Sequence, residues 1–383
     1  MTCLAPPADA IAAVTHPNPY PWYAALRRGP ALVRDERLGL WIASRADVVR
    51  ELLGNDALRV RPAAEPVPRA IAGTPAGEVF GWLVRMNDGP AHAAAKPALQ
   101  RALAALDPAR AQPAAARVAE AMPHAPLADF CFAFPVRAVA HLLGFADETL
   151  PALSAWTRDF VACLSPLSTP PALDAASRAA TALFGRIATL AGAAPTPQGV
   201  LLAAVRAETP EAGSPALPAN LVGLLSQTCE ATAGLIGNSL VALAREPDLR
   251  RRLASRWDLL AALVEEVARH DPPVQNTRRF VARTTVVAGT VLAPGEAVLL
   301  VLAAANRDPA LNPAPATFEW MRPHRQTLGF GWGLHACPGQ ALALTLAAAG
   351  LRSLLARGLR TDLLLERGWD YHPSVNARIP RFR

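Results

Sequence analysis

Alanine- and leucine-rich segments, interrupted by proline and glycine, set the hydrophobic pattern of this chain. Residues 31–45, ALVRDERLGLWIASR, have strand character, and residues 46–55, ADVVRELLGN, fit a helix with a Gly-Asn stop. Residues 61–80 are rich in proline, glycine and alanine and predict a loop. Helices are predicted from about residue 91 to 206, with breaks at LSPLSTPP and AAPTPQG. The pattern therefore predicts a mainly α-helical protein.

A long apolar segment, NLVGLLSQTCEATAGLIGNSLVALAR, lies between Pro218 and Pro247 and follows a predicted loop, TPEAGSPALP. At 1.5 Å per residue its helix would be roughly 39 Å long. Because the segment is apolar on nearly every face, we expect it to run through the core. Its middle, SQTCEAT, is polar, and buried polar groups need partners such as water, a ligand or a neighbouring side chain.

The last third of the chain is predicted to contain further helices and strands. WDLLAALVEEVARH predicts a helix that ends at DPP, and TTVVAGTVLAPGEAVLLVL predicts two strands around Pro-Gly. CPGQALALTLAAAGLRSLLARG is a strong helix pattern, in which Pro338 fits the first turn and Gly358 the C-terminal stop. Cys337 is therefore predicted at or near the N-cap.

Composition narrows the class of protein. The chain has 383 residues, of which 52% are hydrophobic, so a large core is expected rather than disorder. The net charge is +7, carried almost wholly by arginine. No basic run is interleaved with aromatic residues, so we expect no nucleic acid partner, and an acidic protein partner suits this charge. Five dispersed cysteines suit a reducing cytoplasm, and no signal peptide or membrane span is predicted.

The stretch FGWGLHACPG, residues 330–339, holds the most informative chemistry. A helix start lowers the pKa of a thiol, and Gly331 and Gly333 let the backbone approach something large and flat. These features suggest that Cys337 is an axial ligand to one metal. A buried structural cysteine and a catalytic thiol stay open as alternatives. Zinc is disfavoured because His335 has no further ligands at zinc spacing.

The pattern F-x-x-G-x-x-x-C-x-G, formed by Phe330, Gly333, Cys337 and Gly339, closely resembles the heme-binding loop of cytochrome P450 enzymes. Glu266 in EEVAR begins an E-x-x-R pair like that family's buried structural pair. HDPPVQNTRRF, AAANRDP and PNPYPWYAALR extend the resemblance along the chain. It implies the cytochrome P450 fold, mainly α with a small β-rich region near the N-terminus, as one domain over residues 1–383. It also implies heme b (iron protoporphyrin IX), with Cys337 as the proximal thiolate.

The resemblance also assigns the remaining heme and structural positions. Thr327 stands where relatives often have a histidine for a heme propionate. Thr317 replaces an arginine that usually joins the E-x-x-R pair, so Arg322 or His324 would have to substitute. The implied structural pair is Glu266 and Arg269, and the implied heme contacts are His92, Lys96, Arg279, Phe330, Gly331, Gly333, His335 and Gly339.

The long apolar helix resembles the family's oxygen-activating helix, whose A-G-x-[D/E]-T motif delivers protons to dioxygen. Here Gln227 and Thr228 replace Ala-Gly, Glu230 keeps the acid and Ala231 replaces the alcohol. Thr232 comes one residue late, about 100° around the helix. A register shift that lets Thr232 act is one alternative. The other is an altered proton route, through water held by Gln227 or Thr228, through the substrate itself, or in a slow or peroxide-driven catalyst.

The implied activity is monooxygenation of a small or medium organic molecule, in natural-product tailoring, with dioxygen and two electrons. The sequence shows no fused flavin or iron–sulfur domain, so electrons are expected from a separate ferredoxin and ferredoxin reductase. A coupling, cyclising or peroxide-using enzyme, or a non-catalytic heme-binding protein of the same fold, are the alternatives. Pocket candidates are Phe80, Trp82, Leu83, Val84, Leu225, Thr228, Ala231, Val274, Gln275, Val375 and Asn376.

Overall fold

Helices supply most of the structure, as the hydrophobic pattern predicts. The computed structural model describes residues 4–209, 214–253 and 256–383. In these ranges the helices are α1 (Tyr20–Arg28), α2 (Ala46–Gly54), α3 (Pro75–Trp82), α4 (Gly89–Ala104), α5 (Pro108–Glu120), α6 (Leu127–Leu143), α7 (Leu150–Phe160), α8 (Pro170–Gly192), α9 (Val200–Glu208), α10 (Ala216–Arg245), α11 (Pro247–Leu253), α12 (Leu260–His270), α13 (Leu302–Asn306), α14 (Gln340–Ala356) and α15 (Thr361–Arg367).

Strands form a small β-rich region beside the helices. They are β1 (Leu32–Asp35), β2 (Leu40–Ala43), β3 (Leu58–Arg59), β4 (Thr277–Val281), β5 (Thr285–Val287), β6 (Thr290–Leu292), β7 (Ala297–Leu300), β8 (Trp369–Tyr371) and β9 (Pro380–Phe382). The main sheet has the order β1-β2-β7-β4-β3, in which β2 and β7 run parallel and the other neighbours antiparallel. Two-stranded sheets β5-β6 and β8-β9 complete the region.

Two local predictions differ from the structure. The loop predicted for residues 61–80 ends early, because α3 begins at Pro75 and the Thr74 hydroxyl accepts the Gly77 N–H at 3.2 Å. Thr-Pro is a helix-start signal that the proline-rich composition obscured. The segment predicted as two strands forms three. Its first turn is at Ala288 and Gly289, with φ of 46° and 80°, and this left-handed pair makes a tight hairpin between β5 and β6.

Helix α10 crosses the core, as its apolar pattern predicts. It is 30 residues long and packs against α3, α6, α7, α8, α12, α14 and α15. A β-carbon placed on Gly234 would lie 2.5 Å from the Pro273 Cβ, and one on Gly237 would lie 2.9 Å from the Pro380 Cδ. Glycine is therefore required at both positions for the chain segments around Pro273 and Pro380 to touch the helix.

One helical segment of the described chain, Gly333–Ala356, is long and apolar enough to cross a membrane, with a mean hydropathy of 1.3. The sequence expectation of no span rested on uninterrupted apolar runs, which this segment does not contain. In the fold, α14 packs against α5, α6, α10 and α12. The segment therefore also contributes the contacts of a core helix, and its first residues form the Cys337 turn.

Candidate active site

Two glycines with left-handed backbone build the turn that carries Cys337. Gly331 and Gly333 have φ of 76° and 66°, a region that other residues rarely adopt. The Cys337 N–H donates to the Phe330 carbonyl at 2.7 Å and closes the turn. Helix α14 has Gly339 as its N-cap. Cys337 thus lies two residues before the cap, near it as predicted, whereas Pro338 lies outside the first turn.

The thiol of Cys337 is accessible, in contrast to the other cysteines that the structure describes, all buried: Cys131, Cys163 and Cys229. Protein atoms still surround this thiol. Their burial raises the pKa of Cys337, while the Gly339 backbone N–H, Lys96 and Arg85 lower it. Burial raises the pKa of each of the other three thiols to about 12. A thiol that is enclosed and yet reached by water faces a cavity, and a cavity of about 490 Å³ lies between Cys337 and α4.

Basic side chains gather beside the Cys337 turn. His92 and Lys96 lie one turn apart on α4, and the Lys96 Nζ donates to the Ala336 carbonyl at 2.6 Å. The rings of His92 and His335 pack with their centroids 4.3 Å apart. The His335 Nε2 lies 2.9 Å from the Asp88 Oδ1. The predicted heme contacts of α4 and of the turn are therefore neighbours in space.

In the part of the chain that the structure describes, two of the predicted heme contacts, His92 and Arg279, have no anionic partner in hydrogen-bond range. The His92 Nε2 is buried and finds no partner among the described residues. Burial, with His335 and Lys96, lowers the pKa of His92 to about 4. Arg279 on β4 is buried, and within the described residues its guanidinium bonds only to its own strand, at Arg278 and Thr277. Burial lowers the pKa of Arg279 to about 10, against the attraction of Asp88.

A fully buried carboxylate, Glu266, is held by three arginines. Arg269 contributes two contacts, from Nε to Oε2 at 2.9 Å and from Nη2 to Oε1 at 2.6 Å. The Nε of Arg325 lies 2.9 Å from Oε2, and that of Arg322 lies 3.5 Å from Oε1. The backbone N–H of Glu319 adds a bond of 2.9 Å. We call Glu266, Arg269, Arg322 and Arg325 the Glu266 cluster.

The cluster shows how the chain replaces the arginine missing at Thr317. Of the two predicted substitutes, Arg322 takes part, whereas the described contacts of Glu266 do not include His324. Arg325, which sequence reasoning missed, makes the shorter contact. Thr317 contributes through its carbonyl, which accepts from Arg269 at 3.0 Å and from Arg322 at 2.9 Å.

Thr327 has a structural contact in place of the expected histidine. Its hydroxyl donates to the Ala268 carbonyl at 3.2 Å and accepts the Gly329 N–H at 3.1 Å. The start of the Cys337 turn is thereby tied to α12.

The polar middle of α10 divides between two environments. Glu230 is accessible, and Gln227, Thr228 and Ala231 are partly so, whereas Thr232 is fully buried. The Thr228 hydroxyl donates to the Leu224 carbonyl at 2.7 Å. The Thr232 hydroxyl has no hydrogen-bond partner in the part of the chain that the structure describes.

Water reaches the side chains of both Glu230 and Arg85, although neighbouring protein atoms desolvate them in part. Burial raises the pKa of Glu230, and Arg85 opposes this rise. Arg85, on the segment before α4, is a second residue that sequence reasoning missed, because no motif marks it. We call Gln227, Thr228, Glu230, Ala231 and Arg85 the distal site.

The predicted pocket residues lie in three environments. Phe80, Leu83 and Leu225 are buried, and Val84 is partly so. Val274, Val375 and Asn376 meet where the segment after α12 pairs with the C-terminal turn; Asn376 accepts the Gln275 N–H at 2.8 Å, and Asn276 donates to Val375 at 2.9 Å.

Trp82 and Gln275 point elsewhere. Trp82 is 48% exposed and lines a cleft of about 470 Å³ between α3 and α8, together with Glu78 and Phe184. Gln275 is fully buried, and its amide bonds to the Tyr23 hydroxyl at 3.1 Å and the Pro272 carbonyl at 2.7 Å. Its side chain belongs to the packing around α1, so we leave it out of the proposed pocket.

Comparisons with known proteins agree on one family. The family model described as Cytochrome P450 matches residues 230–357. The chain is 30% identical over 362 residues to Cytochrome P450 monooxygenase PikC of Streptomyces venezuelae, covering 89% of this chain and 84% of that protein. It is 29% identical over 388 residues to Vitamin D(3) 25-hydroxylase of Pseudonocardia autotrophica, covering 94% and 92%. The crystal structure of CalO2 has the same fold, with a TM-score of 0.82 at 24% identity over 100% of this chain and 98% of that one.

The chain therefore belongs to the cytochrome P450 family, and it is an oxidoreductase of the monooxygenase type. The family carries a heme, and the residues of this chain fit that group. An accessible thiol sits on a glycine turn. Among the described residues, the buried His92 Nε2 has no hydrogen-bond partner and the buried Arg279 guanidinium bonds to no carboxylate. A buried guanidinium and a buried imidazole nitrogen of this kind suit the two negative propionates at one edge of a heme, the first as a cation and the second as a hydrogen-bond donor.

Proposed function

We propose that this protein oxidises a small or medium organic molecule in the tailoring of a natural product, with Cys337 as the thiolate ligand of heme b. The accessible Cys337 thiol beside unpaired basic groups is the observation that carries this proposal. PikC and the vitamin D hydroxylase, whose names state monooxygenation and hydroxylation, support it. We treat residues 1–383 as one domain and the protein as cytoplasmic.

The chain's own residues would hold the cofactor by charge. Lys96, Arg279, His92 and His335 would bind its propionates, and the Gly339 backbone N–H lowers the pKa of the Cys337 thiol. A donor to sulfur stabilises the thiolate over the thiol. When bound, a thiolate-ligated heme supplies the reductive activation of dioxygen.

Proton delivery in the distal site would depend on Glu230. Its raised pKa favours a protonated carboxyl, which is a proton source, and its side chain is accessible. Ala231 offers no hydroxyl to pass that proton on. Thr232 is fully buried, which disfavours the register-shift alternative. We therefore propose that an ordered water, held beside Gln227 or Thr228, or a polar group of the substrate relays the proton from Glu230.

Electrons would come from a separate ferredoxin and ferredoxin reductase. The cavity beside Cys337 opens between Gln100, Arg101 and Pro338, and a basic surface suits an acidic donor. A second candidate, peroxide-driven oxidation, is favoured by one observation, the missing hydroxyl at Ala231. Comparing product formation with reduced ferredoxin against that with hydrogen peroxide separates the two.

The test of the proposal is Cys337→Ser. The wild-type protein should show the carbon monoxide band of a thiolate-ligated heme and form product from dioxygen and electrons. The serine variant should lose both, whereas Cys163→Ser, at a buried thiol, should keep them. The same band in Cys337→Ser would refute the assignment of the ligand, and a wild type with the band but no turnover would support a non-catalytic heme-binding protein.

A further inference from the structure

Asp88 stands at the start of a helix without capping it. It is the N-cap residue of α4, a position where an aspartate side chain ordinarily accepts a backbone N–H of the first turn. Here the side chain makes no such bond. Its Oδ2 accepts the Val60 N–H at 2.9 Å, and its Oδ1 lies 2.9 Å from the His335 Nε2. Asp88 therefore connects the chain after β3, the start of α4 and the Cys337 turn.

The bond between Asp88 and His335 fixes the state of the imidazole. Both side chains are mostly buried, with 17% and 14% of their surface exposed. Burial raises the pKa of Asp88, but the bonds from His335 and from the Val60 N–H outweigh burial and hold the pKa below its usual value. Asp88 is therefore a carboxylate at neutral pH and can only accept, so the His335 Nε2 carries the hydrogen. A bond of this kind sets both the tautomer and the orientation of the ring.

The His335 ring in turn supports the ring of His92. Their centroids are 4.3 Å apart and their planes are inclined by 45°. Burial, His335 and Lys96 lower the pKa of His92 to about 4, so this ring is neutral at pH 7 and has one N–H to donate. Its buried Nε2 has no hydrogen-bond partner in the part of the chain that the structure describes. The orientation of a neutral ring depends on packing, and His335 provides a ring contact for it.

A carboxylate is unexpected among groups that would bind two propionates. The charge of Asp88 acts on His92 and on Arg279 as well as on His335. Like charges brought together disfavour binding, so Asp88 by its charge alone would weaken the binding of a dianionic group. Its presence is accounted for if another contribution outweighs this repulsion. The bond to His335 is such a contribution.

We propose that Asp88 is a positioning residue of the heme site. It holds the His335 ring, and the His335 ring holds that of His92, so that the His92 Nε2–H donates to a heme propionate. The inference rests on the proposed function, because it takes these groups as the propionate site. A carboxylate behind a histidine fixes the ring in the same way where the histidine ligates a metal. Asp88 acts here only through His335.

The experiment is a double-mutant cycle on the heme-loaded full chain, measured as the rate of heme transfer to apomyoglobin. Asp88→Ala should raise this rate at least about tenfold, as expected for loss of a hydrogen bond to a charged group. His335→Phe keeps a ring but has no N–H, and in this background Asp88→Ala should change the rate less than about twofold. Asp56→Ala, at an exposed aspartate before β3, is the matched control and should leave the rate unchanged.

Two other roles of Asp88 predict different results in this cycle. If Asp88 only anchored α4 to the chain after β3, its loss would accelerate heme transfer equally with and without His335. If Asp88 acted only as a negative charge, Asp88→Ala would slow heme transfer, because it removes a charge that repels the propionates. Either result would overturn the proposal.

Resonance Raman spectra test the contact itself, because the bending bands of the propionates respond to their hydrogen bonds. Asp88→Ala should shift one of these bands as His92→Phe does, whereas Asp56→Ala should not. Asp88→Asn is a milder change, with one acceptor oxygen for two N–H donors, and its rate of heme transfer should lie between those of wild type and Asp88→Ala. An unshifted band in Asp88→Ala, or an asparagine variant that loses heme as fast as the alanine variant, would contradict the proposal.

The remaining outcomes separate this inference from the proposed function. A wild type without the carbon monoxide band of a thiolate-ligated heme overturns both. A wild type with that band, whose Asp88→Ala variant transfers heme at the wild-type rate, overturns the inference alone.

Discussion

The Glu266 cluster and the distal site both hold charged side chains, and they treat them in opposite ways: the Glu266 carboxylate is fully buried, whereas Glu230 and Arg85 are exposed. In the cluster, one carboxylate meets three guanidinium groups and a backbone N–H at 2.6–3.5 Å. In the distal site, Glu230 and Arg85 influence each other without an ion pair in the described structure. Paired charges fix a fold, whereas unpaired ones retain the capacity to bind or to exchange protons. The difference supports the proposal that the distal site is the reactive region.

The largest expected effect is at the Glu266 cluster, where the charges are paired. Glu266→Ala leaves three buried arginines without their anion and should lower the free energy of unfolding by about 3–5 kcal/mol, with loss of heme. Denaturant titration followed by circular dichroism measures it. Glu265→Ala is the matched control, because Glu265 is half-exposed and its contact with Arg325 is a surface ion pair worth at most about 1 kcal/mol. Equal losses in the two variants would mean that burial of Glu266 contributes nothing.

Asp271 provides a second paired charge and a pH test. Burial raises its pKa, but Arg378, which contacts it at 2.9 Å, and Tyr20 outweigh burial and hold the pKa below its usual value. A carboxyl with a lowered folded pKa stabilises fully above its unfolded pKa of about 3.9, and this contribution is lost as pH falls through the folded value.

Asp271→Asn should therefore cost about 3 kcal/mol at neutral pH, because it leaves Arg378 buried without its anion. The difference from wild type should shrink below about pH 4, because the unfolded carboxyl binds a proton there before the folded one does, and it should be lost as pH falls through the folded pKa. Denaturation midpoints measured from pH 7 to pH 3 test this. A constant difference over that range would show that the charge of Asp271 is not what stabilises the fold.

In the distal site, Ala231→Thr should change the fraction of electrons lost to peroxide more than it changes the stability of the fold. A hydroxyl at this position would give Glu230 a relay, so peroxide released per electron pair should fall several-fold with ligands that have no polar group. With the true substrate the added side chain should bring no gain or do harm, because it crowds the substrate's polar group. Tight coupling of the wild type with a purely apolar ligand would contradict substrate assistance.

Thr232→Val removes only the buried hydroxyl, so it tests whether Thr232 takes part in proton delivery. That hydroxyl has no partner among the described residues, so the variant should be more stable by about 1 kcal/mol and equally coupled. Thermal unfolding and peroxide assays measure both quantities. Loss of coupling in Thr232→Val would restore the register-shift alternative.

The smallest effect is expected at Lys96. Lys96→Ala should weaken heme binding only a few-fold, because His92, Arg279 and His335 remain beside the propionate site. Lys96→Arg, which keeps the charge, should bind heme as the wild type does. Heme transfer to apomyoglobin measures the difference, and wild-type retention in Lys96→Ala would remove this lysine from the propionate site.

Sequence patterns identified those parts of the site whose residues are close together in the sequence. The turn around Cys337 and the i, i+3 spacing of Glu266 and Arg269 are contiguous in sequence, and both were found. Arg325 reaches Glu266 from 59 residues away, and no short pattern records such a contact. Arg85 was missed because no motif marks it: the backbone before it is held by the Asn220 side chain of α10, which accepts the Val84 N–H at 2.7 Å, and no short pattern records that contact. Composition also concealed α3, whose Thr-Pro start lies in a proline-rich stretch.

The glycines of α10 have a mechanical consequence. With Pro273 and Pro380 seated directly on Gly234 and Gly237, the helix cannot roll about its axis without driving a proline into its backbone. Exchanging the directions of Ala231 and Thr232 would require a roll of about 100°. The two prolines therefore fix the rotation of α10 about its axis. A mutation elsewhere in the distal site would change which side chains are present on the exposed face of α10, but it would not turn a different face of the helix toward the site.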